Sequence, residues 1–182
     1  MVSGEFYLGS GKKPFEETGC GICIDAATVL ADTKNAYKTG EGWRHCSSES
    51  YGRSGLAMYI RSWVKEGQEA PALNYRVKCS GGSYVLWILA KFGRKEEFEF
   101  GLGLGLDGRV LEKEELLNRG RFWRYEAEQI YRYLPVARLT LEEGEHMLSV
   151  YARAAGMRFD RICLMKDGNL PPADTEWGKA IF

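Results

Sequence analysis

The chain has no excess charge of either sign: 25 Lys and Arg balance 25 Asp and Glu, for a formal net charge of zero. Neutralising phosphates takes a surplus of Lys and Arg, so the balance argues against a nucleic-acid partner. The sequence also lacks any apolar run of roughly 18 residues, the length a membrane-spanning helix needs, so no membrane partner is expected. Met1 to Tyr7 show no basic segment leading into an apolar one, so no signal peptide is expected there. Two settings stay open. One is a cytoplasmic protein. The other is an internal module of a larger secreted or cell-surface chain. Histidine is scarce, with only His45 and His146. The five cysteines are odd in number, which argues against a complete disulfide framework. Cys20 and Cys23 have zinc-ligand spacing, but no second CxxC and no close Cys/His pair completes a site. Reduced cysteines packed as small hydrophobes are the plain reading, with metal or redox chemistry as the alternative.

Helical patterning is sparse too. Glu112–Arg119 can form two turns stopped by Gly120, and Glu126–Tyr133 reads equally as a short helix or an extended segment. Alternation of period two dominates instead. It runs through Ile22, Ile24 and Ala26, then Leu56, Met58 and Ile60, then Leu73, Tyr75, Val77 and Cys79. Gly81-Gly82 predicts a hairpin turn into Tyr84–Lys91. Further strands are expected at Phe98–Leu106, Val136–Leu141, His146–Arg153 and Arg158–Leu164. The turn after Leu141 is placed at Glu142-Glu143-Gly144. Many short strands in 182 residues predict an all-β fold, an antiparallel β-sandwich with one or two short helices. Residues 1–19 read as a tail or leading loop, 20–167 as the sandwich, and 168–182 as a C-terminal extension.

Gly101, Gly103 and Gly105 form a GxGxG string. A phosphate-cradling loop needs its glycines between a strand and a helix. Here Leu fills every gap and the alternation continues, so the glycines belong to one strand face. If that strand pairs with Tyr84–Lys91, Trp87 lies over or beside a trough of bare backbone. Alternatively, Trp87 merely covers the glycines or packs on the core or a neighbouring domain.

Aromatic residues make up 13% of the chain, with five Trp and ten Tyr. Indole and phenol rings pair an apolar face with a polar edge, which suits sugar rings. Two clusters place such rings beside arginine: Trp43 with Arg44, and Trp123 with Arg124 and Tyr125. Core packing is the alternative role for each Trp. For catalysis, no GxSxG nucleophile elbow appears, and the carboxylates fall mostly in solvated runs, not as a pair facing a cleft.

The stretch Gly144-Glu145-His146 through Leu164 resembles the last two strands of galactose-binding-like β-sandwich modules attached to glycoside hydrolases. It has a Gly-x-His strand, an Arg-x-x-Gly turn and an Asp-x-Ile-x-Leu strand. Ile24-Asp25-Ala26-Ala27, Pro71–Val77, Gly82–Trp87 and Trp123-Arg124-Tyr125 extend the likeness, which is similar to the C-terminal domain of family 115 glycoside hydrolases. The resemblance implies a jelly-roll sandwich and a non-catalytic module that binds polysaccharide or oligosaccharide beside a parent catalytic domain. Trp43, Arg44, Trp123, Arg124 and Tyr125 would serve a loop-end site, and Trp87 a sheet-face site. It also implies a possible structural calcium, with Asp25 or Asp160 as contributors. The alternative is a structural or interaction domain that packs on a catalytic domain or forms a dimer interface.

Overall fold

A computed structural model of the chain describes residues 13–26, 43–46, 57–60, 72–91, 103–117, 131–151 and 158–172. Nine strands occur among them: β1 (Phe15–Glu16), β2 (Gly21–Asp25), β3 (Trp43–Cys46), β4 (Ala57–Ile60), β5 (Ala72–Lys91), β6 (Gly103–Leu106), β7 (Arg109–Val110), β8 (Arg132–Tyr151) and β9 (Arg158–Lys166). They are hydrogen-bonded in the order β3-β4-β9-β5-β8-β6-β7, with β2 antiparallel to β9 and β1 parallel to β5. The architecture is the expected all-β antiparallel sandwich.

Its framework is the pairing of β5 with β8, each 20 residues long, from Ala72↔Tyr151 to Ala90↔Arg132. The hairpin expected at Gly81-Gly82 is not formed, and the strand runs through it. Gly81 (φ +79°) and Gly82 (φ +120°) kink β5, and Gly144 (φ +142°) kinks β8 beside them, opposite Cys79. Side chains rarely adopt such φ values, so glycine permits the bend without ending the strand. The kink also changes the inward parity of β5. Tyr75, Val77 and Cys79 face the core before it, and Tyr84, Leu86 and Ile88 after it. No residue is inserted there: the register is unbroken from Ser80↔Glu143 to Gly82↔Leu141, and the register shift of this pair lies at Leu86/Trp87. β8 makes the matching change, from Leu139 and Leu141 to Leu148 and Val150. Both halves of each long strand thus contribute side chains to the same core.

Ile22, Ile24, Ile162 and Leu164 complete that core, as their alternation predicts. The Tyr75 hydroxyl lies within it and donates to the Ala26 carbonyl at 2.6 Å, satisfying a buried polar group. Two expectations are corrected. The helix over 112–119 does not form in its described part: Glu112–Leu117 makes a turn and an isolated bridge from Leu116 to Ala137. The backbone N–H of Glu112 is held by the Glu115 carboxylate, which also grips Arg109, so turn contacts replace helical ones. The leading tail expected over 1–19 contains a strand, because Phe15 and Glu16 pair with Val77 and Lys78 of β5. At the C-terminal end of 126–133, Arg132 and Tyr133 are extended, in β8.

Candidate functional site

Alternation sends every second residue of β2, β9, β5 and β8 away from the core. Register aligns these outward residues in rows. One row runs Cys23, Cys163, Trp87, Pro135, and the next runs Asp25, Arg161, Leu89, Tyr133. Cys163 and Met165 form a second small buried cluster, against which Cys23, Trp87 and Tyr133 pack half-buried. The sheet thus carries an aromatic patch of one Trp and one Tyr on its non-core face.

Trp87 sits there by packing. Its indole nitrogen is buried and has no hydrogen-bond partner among the described residues. Tyr133 is held differently. Arg161, itself buried, donates from Nη1 to the Tyr133 hydroxyl oxygen at 3.1 Å. Burial and the adjacent Cys163 push the Tyr133 phenol well above its ordinary pKa, against the opposing pull of Arg161. The hydroxyl stays protonated. The arrangement offers two ring surfaces and fixed hydroxyl geometry.

The expected site residues divide three ways. Trp87 lies on this half-exposed face. Trp43 does not lie in a loop: it begins β3, pairs with Ile60, and is fully buried in the main core. It presents no ring face to a ligand, so its place as a loop platform is corrected. The side chain of Arg44, together with Trp123, Arg124 and Tyr125, lies outside the described residues.

The pairing of the glycine strand with Trp87 is also corrected. β6 pairs with the far end of β8, where Gly103 opposes Tyr151, and β8 stands between β6 and β5. Tyr151 fills the trough instead: a β-carbon on Gly105 would lie 2.9 Å from its ring. Tyr133 and Arg161 were absent from the sequence-derived set. The available signal was parity, since Tyr133 and Pro135 alternate with the core residues Leu134 and Val136.

Asp25 and Asp160 are the residues expected to contribute to a calcium site. Calcium takes six to eight oxygen ligands. Asp160 is buried with its carboxylate 3.4 Å from the Arg161 guanidinium, and Asp25 opposes Arg161 across the strands. The cation beside the Asp160 carboxylate is Arg161. No group of three or more His, Cys, Asp or Glu placed to hold a metal occurs among the described residues. Among the described residues the Cys20/Cys23 pair gathers no further ligand; the residue opposite Cys23 is Cys163.

Two polar latches fasten the frame elsewhere. Glu17 accepts from the Ser80 N–H (2.8 Å), the Ser80 hydroxyl (2.9 Å) and the Tyr84 hydroxyl (2.9 Å), and pairs with Lys166 at 2.8 Å. This ties β1 to the kink of β5 and to the end of β9. Asp107, in the β6–β7 turn at φ +52°, contacts His146 Nδ1 at 2.9 Å and accepts from the Met147 N–H at 2.8 Å.

No protein-family model and no curated protein matches the chain in sequence. Solved structures do match in shape. A GH26-CBM35 β-(1,4)-mannanase of Podospora anserina superposes with a TM-score of 0.55 at 12% identity, covering 85% of this chain and 29% of the enzyme. A family 35 carbohydrate-binding module from Clostridium thermocellum gives 0.53 at 8% identity, covering 81% of this chain and 99% of the module. The C-terminal CBM6 of the laminarinase LamC from Zobellia galactanivorans gives 0.50 at 14% identity, covering 80% and 99%. The chain therefore spans under a third of the mannanase but has the β-sandwich fold of carbohydrate-binding modules along their whole length.

Proposed function

We propose that this chain is a non-catalytic carbohydrate-binding module, an accessory domain of a polysaccharide-degrading glycoside hydrolase. The observation that carries the reading is the match to two modules over 99% of their length. It is supported by the half-exposed Trp87 and Tyr133 on the face opposite the core. Recognition is by stacking: the ring faces of Trp87 and Tyr133 take the C–H face of a pyranose, and polar side chains and backbone contact its hydroxyls. Arg161 is buried and acts by orienting Tyr133, not by touching sugar. Trp123, Arg124 and Tyr125 remain the residues for a second, loop-end site; Arg44 belongs to β3, where it pairs with Tyr59. A single small platform of this kind binds with a dissociation constant of roughly micromolar to millimolar.

Affinity electrophoresis and calorimetry against plant and host polysaccharides test the reading. Binding by the full chain, weakened by Trp87→Ala, Tyr133→Ala or Trp123→Ala, is the expected result. Failure to bind any glycan sinks it in favour of a docking or dimerisation domain. Hydrolysis that disappears with a single carboxylate overturns its non-catalytic part.

A further inference from the structure

We propose that Cys23 and Cys163 are a dithiol modification site, placed to close into a disulfide that staples β2 to β9. The two residues are direct cross-strand partners. Their position in the ladder follows from its ends. The Lys166 N–H donates to the Cys20 carbonyl, and the Ala26 N–H donates to the Asp160 carbonyl. Hydrogen-bonded and non-hydrogen-bonded pairs alternate along an antiparallel ladder. Cys23 and Cys163 lie three steps from each end and so occupy a non-hydrogen-bonded position. Such positions bring the α-carbons to about 4.5 Å, inside the roughly 4.4–6.8 Å that a disulfide spans. Gly21 and Met165, at the next position of the same kind, show how close the strands run: a β-carbon on Gly21 would stand 2.9 Å from the Met165 α-carbon.

The surroundings suit exchange with a small disulfide. The two thiols face each other across the ladder, and Tyr133 packs against the same small cluster. Cys23 also reaches the Met165 sulfur at 3.7 Å. Cys23 is partly exposed and Cys163 is buried, so Cys23 meets the oxidant first. Its thiolate attacks one sulfur of oxidised glutathione, releasing one glutathione thiolate and leaving a mixed disulfide. Cys163 then gives up its proton and attacks the Cys23 sulfur, releasing the second glutathione. Two protein thiols are oxidised and one glutathione disulfide becomes two glutathione molecules. Burial pushes the Cys163 thiol up, with Tyr133 and the Arg161 charge opposing, so the second step is the slower one.

The test treats the full chain with oxidised glutathione without denaturant, alkylates the remaining thiols and maps the peptides. The expected result is a Cys23–Cys163 linked peptide and the loss of two of the five thiols. Cys79→Ala leaves the link intact. Cys163→Ala leaves Cys23 as a persistent glutathione adduct, which shows that Cys23 reacts first even if the variant is less stable. Persistence of that adduct in the unsubstituted protein overturns the proposal, as does a link that appears only in denaturant, or no reaction at Cys23.

Discussion

Tyr151 lies against Gly105, its Cε2 carbon 2.9 Å from where a β-carbon on that glycine would be, with the Arg109 carbonyl oxygen at 3.0 Å from the same point. The glycine is small because the tyrosine needs its space. Gly105→Ala should destabilise the protein by roughly 1–3 kcal/mol through overpacking. In a Tyr151→Ala background the same substitution should cost less, since only the carbonyl contact remains. Chemical denaturation of the four proteins of this cycle measures the difference. Equal costs in both backgrounds would show that the ring does not set the requirement.

The kink of β5 makes a sharper demand. A β-carbon on Gly81 would lie 2.8 Å from the backbone nitrogen of Glu143, and the residue has φ +79°. Gly82 has φ +120° but open space around it. Alanine at either position is strained, and Gly81→Ala should be worse. Midpoints of thermal unfolding should fall in that order. A reversed order would mean that backbone strain at Gly82 outweighs the Glu143 clash.

Glu17 sets an acid limit on stability. Burial acts to raise its pKa, but Lys166, the Ser80 N–H and the Tyr84 and Ser80 hydroxyls outweigh that and hold it at about 2, from an ordinary 4.5. The folded value is the lower one, so the stabilisation is present above the ordinary value and fades as pH falls towards about 2. Glu17→Gln should cost roughly 1–3 kcal/mol at neutral pH, the range for a hydrogen-bonded charge. The gap between the two proteins should close as the solution is acidified. Urea titrations at several pH values read it; a gap independent of pH would exclude the carboxylate's charge as the cause.

Much of the frame was legible in local pattern. Ile22 and Ile24, Leu73 through Cys79, and Ile162 and Leu164 alternate as half-buried strands do, and they fill the core. Positive φ at Gly81 and Gly82 was legible as well, but not its use, because a kink and a hairpin turn draw on the same freedom of glycine. The burial of Trp43 is not legible locally: the neighbouring Arg44 suggests a solvated segment, whereas pairing with Ile60 buries the ring. Register is non-local. Nothing near Cys23 announces Cys163, and nothing near Gly105 announces Tyr151.

The two tryptophans should separate stability from recognition. Trp43→Ala empties a core position and should cost about 3–5 kcal/mol. Trp87→Ala removes a half-buried ring from the second face and should cost less, while weakening glycan binding at least several-fold. Parallel unfolding and affinity measurements decide. Full glycan affinity in a folded Trp87→Ala protein would move the binding site to the loops.

The latch between Asp107 and His146 should have a pH window. Burial works against the charged imidazole, but Asp107 and the Glu142 carbonyl outweigh it and raise His146 above its ordinary 6.5. Burial likewise acts upward on Asp107, yet His146 and the Met147 N–H hold it below 3.8. The histidine's contribution is full below about 6.5 and is lost as pH rises through its raised folded value. The aspartate's contribution is present above its ordinary value and lost as pH falls through the lowered one. Asp107 is half exposed, so screening limits the pair to roughly 1 kcal/mol or less. Asp107→Asn should cost most between those limits and least in alkali, as read by unfolding midpoints across pH.

The long pairing of β5 with β8 has a consequence for how the chain reaches its native state. The partners meet across the whole segment between Lys91 and Arg132, and β9 adds to β5 only after both are in place along the chain. The core cannot assemble from one continuous stretch of sequence. Ring closure over such separations precedes most of the reward, which slows acquisition of structure. Because the two long strands pair along their whole length, no cut between them leaves halves that fold separately. A single relaxation phase and a single unfolding transition are the expected signature.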